Sequence, residues 1–414
     1  MTKPEAYYGL PADVKFCTKC VISNQRPNST VEFKSDVKQR KEVIHFDDEG
    51  VCSACRFQDV KADQIDWEAR EDSLKALCDK YRRNDGRYDV IIPGSGGKDS
   101  AYTAHILKYK YGMNPLTVTW APHLYTNIGW QNFTNWMHDG GLDNILYTPN
   151  GKLHRLLTGY AFRNLLHPFQ PFILGQRIIG PAMAKRFGVE LVMYGENQAE
   201  YGNNVKDNEI PTMNESYFTI DDPQEVKMGG VSIKDIIAEH GYNLSDFAPY
   251  IPPPLEELKA ANVTVHYLGY YLKWDPQECY YYAVEHTGFE ANPERTDGTY
   301  SKYSSIDDKT DPFHYFTTLI KFGIGRATYD AAQEIRNGKI TREEGVKLVE
   351  RYDLEFPETY FEEFLHYIDM DEEEFFATVD KYRSPHLWHK VDGEWKLRHQ
   401  VQNIEDVAPI RAAG

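Results

Sequence analysis

The chain of 414 residues has no apolar run approaching the roughly 18 residues of a membrane-spanning helix, and its first residues are polar. No membrane span and no signal peptide are expected, so a cytoplasmic protein is. Positive charge is in deficit: 46 Lys and Arg face 63 Asp and Glu, for a formal net charge of −17. Such a surface disfavours nucleic acid, whose affinity depends on cations that neutralise phosphates. Cysteine is scarce at 6, which excludes a disulfide scaffold in so long a chain. No cysteine stands in a nucleophile-elbow context, no nucleophile triad can be assigned, and there is no internal repeat or low-complexity tract. What remains is an ordinary globular composition, 41% hydrophobic and 26% charged. The length suffices for a large core and two or three units.

One stretch organises the rest. The apolar run Tyr88–Gly94 leads into Ser95-Gly96-Gly97-Lys98-Asp99-Ser100, and Ala101–Lys108 leaves it with helical character. Strand, small-residue loop and helix start make an anion site. The glycines let the backbone approach a ligand, and the N–H groups of the first helical turn point at phosphate oxygens. Lys98 adds a positive charge and Ser100 a hydroxyl. A Walker A loop fails here, because Ile92 and Asp99 occupy positions that need Gly and Ser or Thr. The dinucleotide fingerprint fails too, since its third glycine falls on Asp99. The hexapeptide after a hydrophobic strand resembles the PP-loop of the ATP pyrophosphatase superfamily. That resemblance implies cleavage of ATP between the α and β phosphates, adenylation of a substrate oxygen, and Mg²⁺ on the phosphates.

From residue 84 to about 200 strand and helix patterns alternate. Val90–Ile92, Leu116–Trp120, Asn144–Tyr147 and Glu190–Tyr194 read as strands, with helices near Trp130–His138 and Ile173–Phe187. Val263–Leu268 reads as a fifth strand. Short connections between them argue for a parallel sheet. The expected fold is α/β: a doubly wound parallel five-stranded sheet of the PP-loop/HUP-like kind, an N-terminal zinc-knuckle module and a mainly helical C-terminal region. The expected division is 1–62 for the module, 63–200 for the ATP-binding core and 201–262 for a turn-rich insertion. A return to the sheet follows over 263–310 and the helical region over 311–414. Ligands of such sheets sit beyond the carboxyl ends of the strands. Trp120 is therefore a candidate to stack on adenine, or a core residue. Gly195-Glu196-Asn197 is a candidate ATP-facing loop, with Glu196 acting through Mg²⁺ or ribose, or else an Asx-type turn.

Cys17-Thr-Lys-Cys20 and Cys52-Ser-Ala-Cys55 form two C-x-x-C knuckles, which together give a tetrahedral S₄ site suited to structural zinc. Disulfides, free thiols, redox chemistry or an iron–sulfur cluster are the alternatives. Between the knuckles, Thr30–Phe33 and Val43–Phe46 read as a hairpin. Residues 64–83 read as an amphipathic helix with Cys78 in its apolar face, and Cys279 reads as a packing residue. In the C-terminal region His314 precedes Lys321-Phe-Gly-Ile-Gly-Arg326, where a glycine pair again stands before a helix. Lys321 and Arg326 are candidate contacts to a carboxylate or diphosphate, against a helix-to-helix turn with a surface Arg. Thr341-Arg-Glu-Glu344 has capping-box spacing. The His386-x-x-His389 pair has no further ligands beside it.

The cysteine knuckles, PP-loop, Tyr194-Gly-Glu-Asn197 and the segments Lys321–Asp330 and Thr341–Asp353 together resemble the N-acetyl sugar amidotransferases of lipopolysaccharide O-antigen or flagellin-glycan biosynthesis. The resemblance implies that an acetamido group on a nucleotide-activated sugar is adenylated and then attacked by ammonia, giving an acetamidino group. It also implies partners similar to the histidine-biosynthesis glutaminase and cyclase, which would deliver the ammonia. By position Ser95, Gly96, Gly97, Lys98, Asp99 and Ser100 would hold phosphates, with Lys98, Asp99 and Glu196 as the catalytic set. The competing readings are a PP-loop tRNA-thiolating enzyme and a non-enzymatic adenine-nucleotide sensor. The acidic charge, and the lack of a Cys soon after the loop, weigh against the first.

Overall fold

A strand that is apolar on both faces needs cover on both sides, and Val90-Ile91-Ile92 has it, with all three side chains fully buried. In the computed structural model, which describes residues 4–35, 40–201 and 209–403, this stretch is β1 (Val90–Pro93). It lies at the centre of a parallel sheet with β2 (Pro115–Trp120), β3 (Asp143–Tyr147) and β4 (Leu191–Tyr194). A two-residue hairpin, β5 (Lys227–Met228) with β6 (Val231–Ser232), precedes the fifth core strand, β7 (Thr264–Tyr267). The sheet order is β3-β2-β1-β4-β7, with every pair parallel. The edge at β7 is covered: Met213 N–H donates to the Val265 carbonyl at 2.9 Å, and Tyr267 N–H to that of Pro211 at 3.0 Å. Such cover blunts an otherwise reactive strand edge.

Ahead of the sheet run α1 (Ser53–Asp63) and α2 (Trp67–Tyr81). Asp66 caps α2 by accepting from Ala69 N–H at 3.0 Å, so the expected 64–83 helix begins one turn later, and Cys78 is buried in its apolar face. The sheet is wound on both faces by α3 (Lys98–Tyr109), α4 (Asn127–His138), α5 (Gly151–Leu165) and α6 (Gln170–Phe187). Successive strand residues point to opposite faces. Val90 and Ile92 join the cluster with Ala101, Leu107 and Trp136, whereas Ile91 joins Leu157, Leu174 and Ile178. Truncating Ile91 to Ala would cost about 2–5 kcal/mol.

The 209–262 segment carries α7 (Ile233–His240) and α8 (Leu255–Ala260), and α9 (Leu268–Tyr271) and α10 (Pro276–Thr287) follow β7. The turn expected at Gly202–Asn204 lies outside the described residues. The C-terminal region is α11 (Asp311–Phe322), α12 (Arg326–Arg336), α13 (Arg342–Tyr352), α14 (Phe361–Ile368) and α15 (Glu372–Lys381). A hairpin, β8 (Trp388–Val391) with β9 (Glu394–Leu397), closes it. The capping box at Thr341 and Glu344 is formed reciprocally. Among the described residues no helix is long and apolar enough to cross a membrane.

The hairpin expected between the cysteine knuckles does not form. Glu32–Lys34 is a 3-10 turn, and Val43 pairs with Pro27 instead. Tertiary packing overrides local β propensity here. Phe33 is fully buried in the cluster of the α6 face, and the Glu32 carbonyl accepts from Gln170 Nε2 at 2.9 Å. The module is fused to the C-terminal helices through a shared core that includes Ile22, Ile44, Phe313 and Trp388. Lys61 and Glu200 add a buried ion pair at 2.8 Å.

Candidate active site

At the carboxyl end of β1 the chain turns through Gly94–Gly97 directly into α3. Gly96 has φ +84°, and a Cβ there would stand 2.8 Å from Phe133 Cα and 2.9 Å from the Asn132 carbonyl oxygen. Only glycine fits that conformation and approach. Gly97 is the N-cap and offers no side-chain bond to the first turn. A Cβ on it would meet nothing nearer than Ser95 Oγ at 3.8 Å, so open space faces the turn. The first N–H groups of α3 thus retain their anion-binding capacity. Ser100 donates to the Gly97 carbonyl at 3.0 Å.

Lys98 is buried and bridges to Asp99 Oδ2 at 2.5 Å. Burial by itself would lower its ammonium pKa, but the charges of Asp99 and then Glu196 raise it, so the side chain stays cationic. Lys98, Asp99 and Glu196 line one cavity of about 360 Å³. Its other walls are Arg26, Ile22, Ile44 and Ala54 of the cysteine module, and Tyr329, Asp330, Gln333 and Arg336 of α12. Ser304, Ser305 and His314 also line it. Burial pushes the His314 imidazole down to about 3, so it is neutral near pH 7. Burial also raises Asp330, whose carboxylate accepts from Thr299 Oγ1 at 2.5 Å.

Five residues expected at the site, Trp120, Gly195, Asn197, Lys321 and Arg326, are not brought to this cavity. Trp120 is buried, with its ring 5.4 Å from Tyr147 and again from Tyr250. It lines a separate space against α6, where Gly175 admits the indole. Asn197 is buried and accepts from Ala199 N–H at 3.1 Å, an Asx-type turn, and it lines a different cavity beside β7. Gly195 is closely packed, since a Cβ there would meet Trp274 at 2.9 Å. The Lys321 ammonium donates to the Leu165 carbonyl at 2.7 Å. Its burial, and then Lys41, lower its pKa to about 7. Arg326 lies behind the cavity wall. Its Nη2 donates to the Ser304 and Ser305 carbonyls, its guanidinium stands 4.8 Å from the Tyr315 ring, and Nη1 lies 3.5 Å from Asp311. Nε and Nη1 of Arg326 are buried without a hydrogen-bond partner. Arg26 and Arg336 have no local sequence signature. A polar stripe on α12, Tyr329, Gln333 and Arg336 at helical spacing, was the one available signal.

The four knuckle cysteines come together. Cys17, Cys20, Cys52 and Cys55 are buried, are all free thiols, and have their sulfurs within 4.8 Å of one another. Cys17–Cys55 and Cys20–Cys52 are each 3.8 Å apart. A tetrahedron with zinc–sulfur bonds of about 2.3 Å has edges of about 3.8 Å, so the donor set fits zinc. The N–H groups of Lys19, Cys20 and Cys52 point at Cys17 Sγ, at 3.3–3.4 Å, as thiolate ligands require. His386 and His389 form no such cluster. His386 is bonded to Ser384 and Gln25.

Fold and site thus define an α/β protein with a glycine-rich anion loop after its central strand, a four-cysteine cluster and a helical C-terminal region. Residues 297–402 match the family described as LPS biosynthesis protein WbpG-like, C-terminal domain. The C-terminal region is therefore similar to that domain, in keeping with the family resemblance seen in the sequence. Among solved structures, the chain is similar to an NH3-dependent NAD synthetase from Campylobacter jejuni in complex with the nitrate ion. The two are 15% identical with a TM-score of 0.24, over 31% of this chain and 56% of that one. No curated protein matches the chain.

Proposed function

We propose that the protein is an ATP-dependent amidotransferase that converts an acetamido group of a nucleotide-activated sugar to an acetamidino group, forming AMP and pyrophosphate. The observation that carries this reading is the uncapped α3 N-terminus, opening with Lys98, Asp99 and Glu196 onto a cavity that the C-terminal domain closes. The match of that domain to LPS biosynthesis proteins supports a sugar acceptor.

The amide oxygen of the acceptor attacks the α-phosphorus, and the bond to the β-phosphate oxygen breaks. Pyrophosphate departs into the N–H groups of the first α3 turn and the Lys98 ammonium, where its charge develops. Ammonia then adds to the imidate carbon. AMP leaves with the former amide oxygen, and the amidine keeps the nitrogen. Asp99 Oδ1 is buried without a hydrogen-bond partner, which fits a cation beside it. Asp99 and Glu196 would hold Mg²⁺ bound with the triphosphate, and the ion would supply neutralisation of phosphate charge. Ammonia would come from glutaminase- and cyclase-like partner proteins. Zinc on the four cysteines would be structural, because four protein ligands leave no open position. Metal analysis of the purified protein should find zinc, and Cys52→Ser should lose it together with thermal stability.

The test is turnover of ATP, ammonium and an acetamido UDP- or CMP-sugar, followed by mass spectrometry. The product should be lighter by the difference between O and NH, with AMP formed alongside. Release of ADP and orthophosphate, or AMP release that requires tRNA instead of sugar, would overturn the proposal.

A further inference from the structure

Glu196 reaches the cavity from a short segment between β4 and a 3-10 turn, Gln198–Tyr201. That segment is pinned on both sides. Ahead of Glu196, the Gly195 carbonyl accepts from Gly269 N–H at 2.9 Å. After it the chain closes on itself. The Asn197 carbonyl accepts from Glu200 N–H at 3.2 Å, and Asn197 Oδ1 from Ala199 N–H at 3.1 Å.

The turn is held from outside through Glu200. Lys61 Nζ donates to both of its carboxylate oxygens, at 2.8 and 2.9 Å, and to the Trp274 carbonyl at 2.5 Å. All three donors of the ammonium are thereby used. Arg336 Nη2 adds a bond to the Glu200 backbone carbonyl at 3.1 Å. Lys61 belongs to α1, which starts at the second knuckle: Cys52 is its N-cap, Cys55 lies in its first turn and Lys61 in its last. One helix therefore joins two of the four clustered sulfurs to the ammonium that holds Glu200.

Lys61 and Glu200 are both buried. Taking two charges out of water costs about as much as their attraction returns, so such a pair is poor evidence of added stability. What it fixes is place. We propose that Lys61 and Glu200 are positioning residues for the reaction, setting Glu196 in the cavity through the 197–200 turn and tying it by α1 to the four-cysteine cluster. This rests on the reading above, in which Asp99 and Glu196 hold Mg²⁺ with ATP. Neither Lys61 nor Glu200 lines the cavity, so both act at one remove.

The test is a double-mutant cycle on the full chain with its zinc, read by calorimetry of Mg²⁺-ATP binding. The four proteins are wild type, Lys61→Met with Glu200→Gln, Glu196→Gln, and all three substitutions together. The paired replacement removes both charges at similar side-chain length, so neither is left buried alone. Its zinc content and urea midpoint should match wild type. Its Mg²⁺-ATP binding should weaken about ten- to hundredfold, as happens when groups that orient a metal ligand are lost. In the Glu196→Gln background the same replacement should change binding by less than about twofold, because no carboxylate is left to place. Losses that multiply in full would make the pair a structural element and overturn the proposal, as would unchanged binding in the paired variant. Should the paired variant not fold, Glu200→Gln alone gives the same comparison, since it keeps the shape of the side chain. Binding weaker by about threefold is then expected, with the effect again absent beside Glu196→Gln; unchanged binding overturns the proposal here too. The two ideas fail separately. Undiminished Mg²⁺-ATP affinity in Glu196→Gln sinks the reading of Glu196 itself. A weakened Glu196→Gln with fully multiplying losses sinks the positioning role alone.

Discussion

Gly96-Gly97 before α3 and Gly323-Ile324-Gly325 before α12 look alike in sequence, and each suggests an anion-binding helix start. In the structure they are opposites. At α12 the anion is already there: Asp353 accepts from Gly325 N–H at 3.0 Å, from Thr328 N–H at 2.7 Å and from Thr328 Oγ1 at 2.8 Å. Gly325 is glycine because Asp353 comes so close; a Cβ would meet its carbonyl oxygen at 2.4 Å. At α3 no side chain among the described residues caps the turn, and a Cβ on Gly97 would project into open space. A helix start is a binding site only where the chain has not supplied the anion itself.

The contrast can be broken most sharply at Lys98. Lys98→Ala should lower AMP formation on the order of a hundredfold or more, as removing one preorganised donor does elsewhere, while leaving the unfolding transition near wild type. A protein with full activity would refute the open site.

The same substitution at the two glycines should then give opposite readouts. Gly325→Ala should cost about 1–3 kcal/mol by overpacking against Asp353, measured by urea denaturation, with little change in the KM for ATP. Gly97→Ala should cost under about 1 kcal/mol but raise the KM for ATP, because its methyl enters the space where phosphate is expected. Exchanged phenotypes would mean that the two helix starts have been assigned the wrong way round.

A pH dependence sharpens the picture further. Burial raises the Asp353 carboxyl from 3.8 to about 6, against the opposing hydrogen bonds from Thr328 and Gly325. Between those values the folded protein holds a proton that the unfolded chain has released. This group's contribution to stability is therefore complete below pH 3.8 and is lost as the pH rises through about 6. Asp353→Asn should flatten that part of the stability profile in denaturation series run from pH 4 to 7. The smallest effect is expected from Thr328→Ala, which removes one hydrogen bond to Asp353 and about 1 kcal/mol. ATP turnover should be unmoved.

Much of the scaffold was legible from local pattern. Val90–Ile92 announced a strand buried on both faces, the glycines of the loop announced a tight turn, and Thr341 with Glu344 announced a helix start. Each of these depends on neighbours within a few residues. The hairpin at Thr30–Phe33 was misread because Phe33 answers to α6, more than a hundred residues away. The surroundings of Lys321 and Arg326 were hidden for a related reason. A basic residue near a glycine pair looks available in sequence, yet Leu165, Ser304 and Ser305 already accept its hydrogen bonds.

Composition, the two cysteine knuckles and the loop after β1 determined where a four-cysteine cluster and an anion-binding helix start would form without any coordinates, because metal-ligand spacing and phosphate cradles are built from short segments. Only the folded chain decided which cations face the cavity. That choice put Arg26 and Arg336 in its lining and left Lys321 and Arg326 buried outside it. The physical reason is that exposure to a shared space is a property of elements packed together from distant parts of the chain, and no local spacing encodes it.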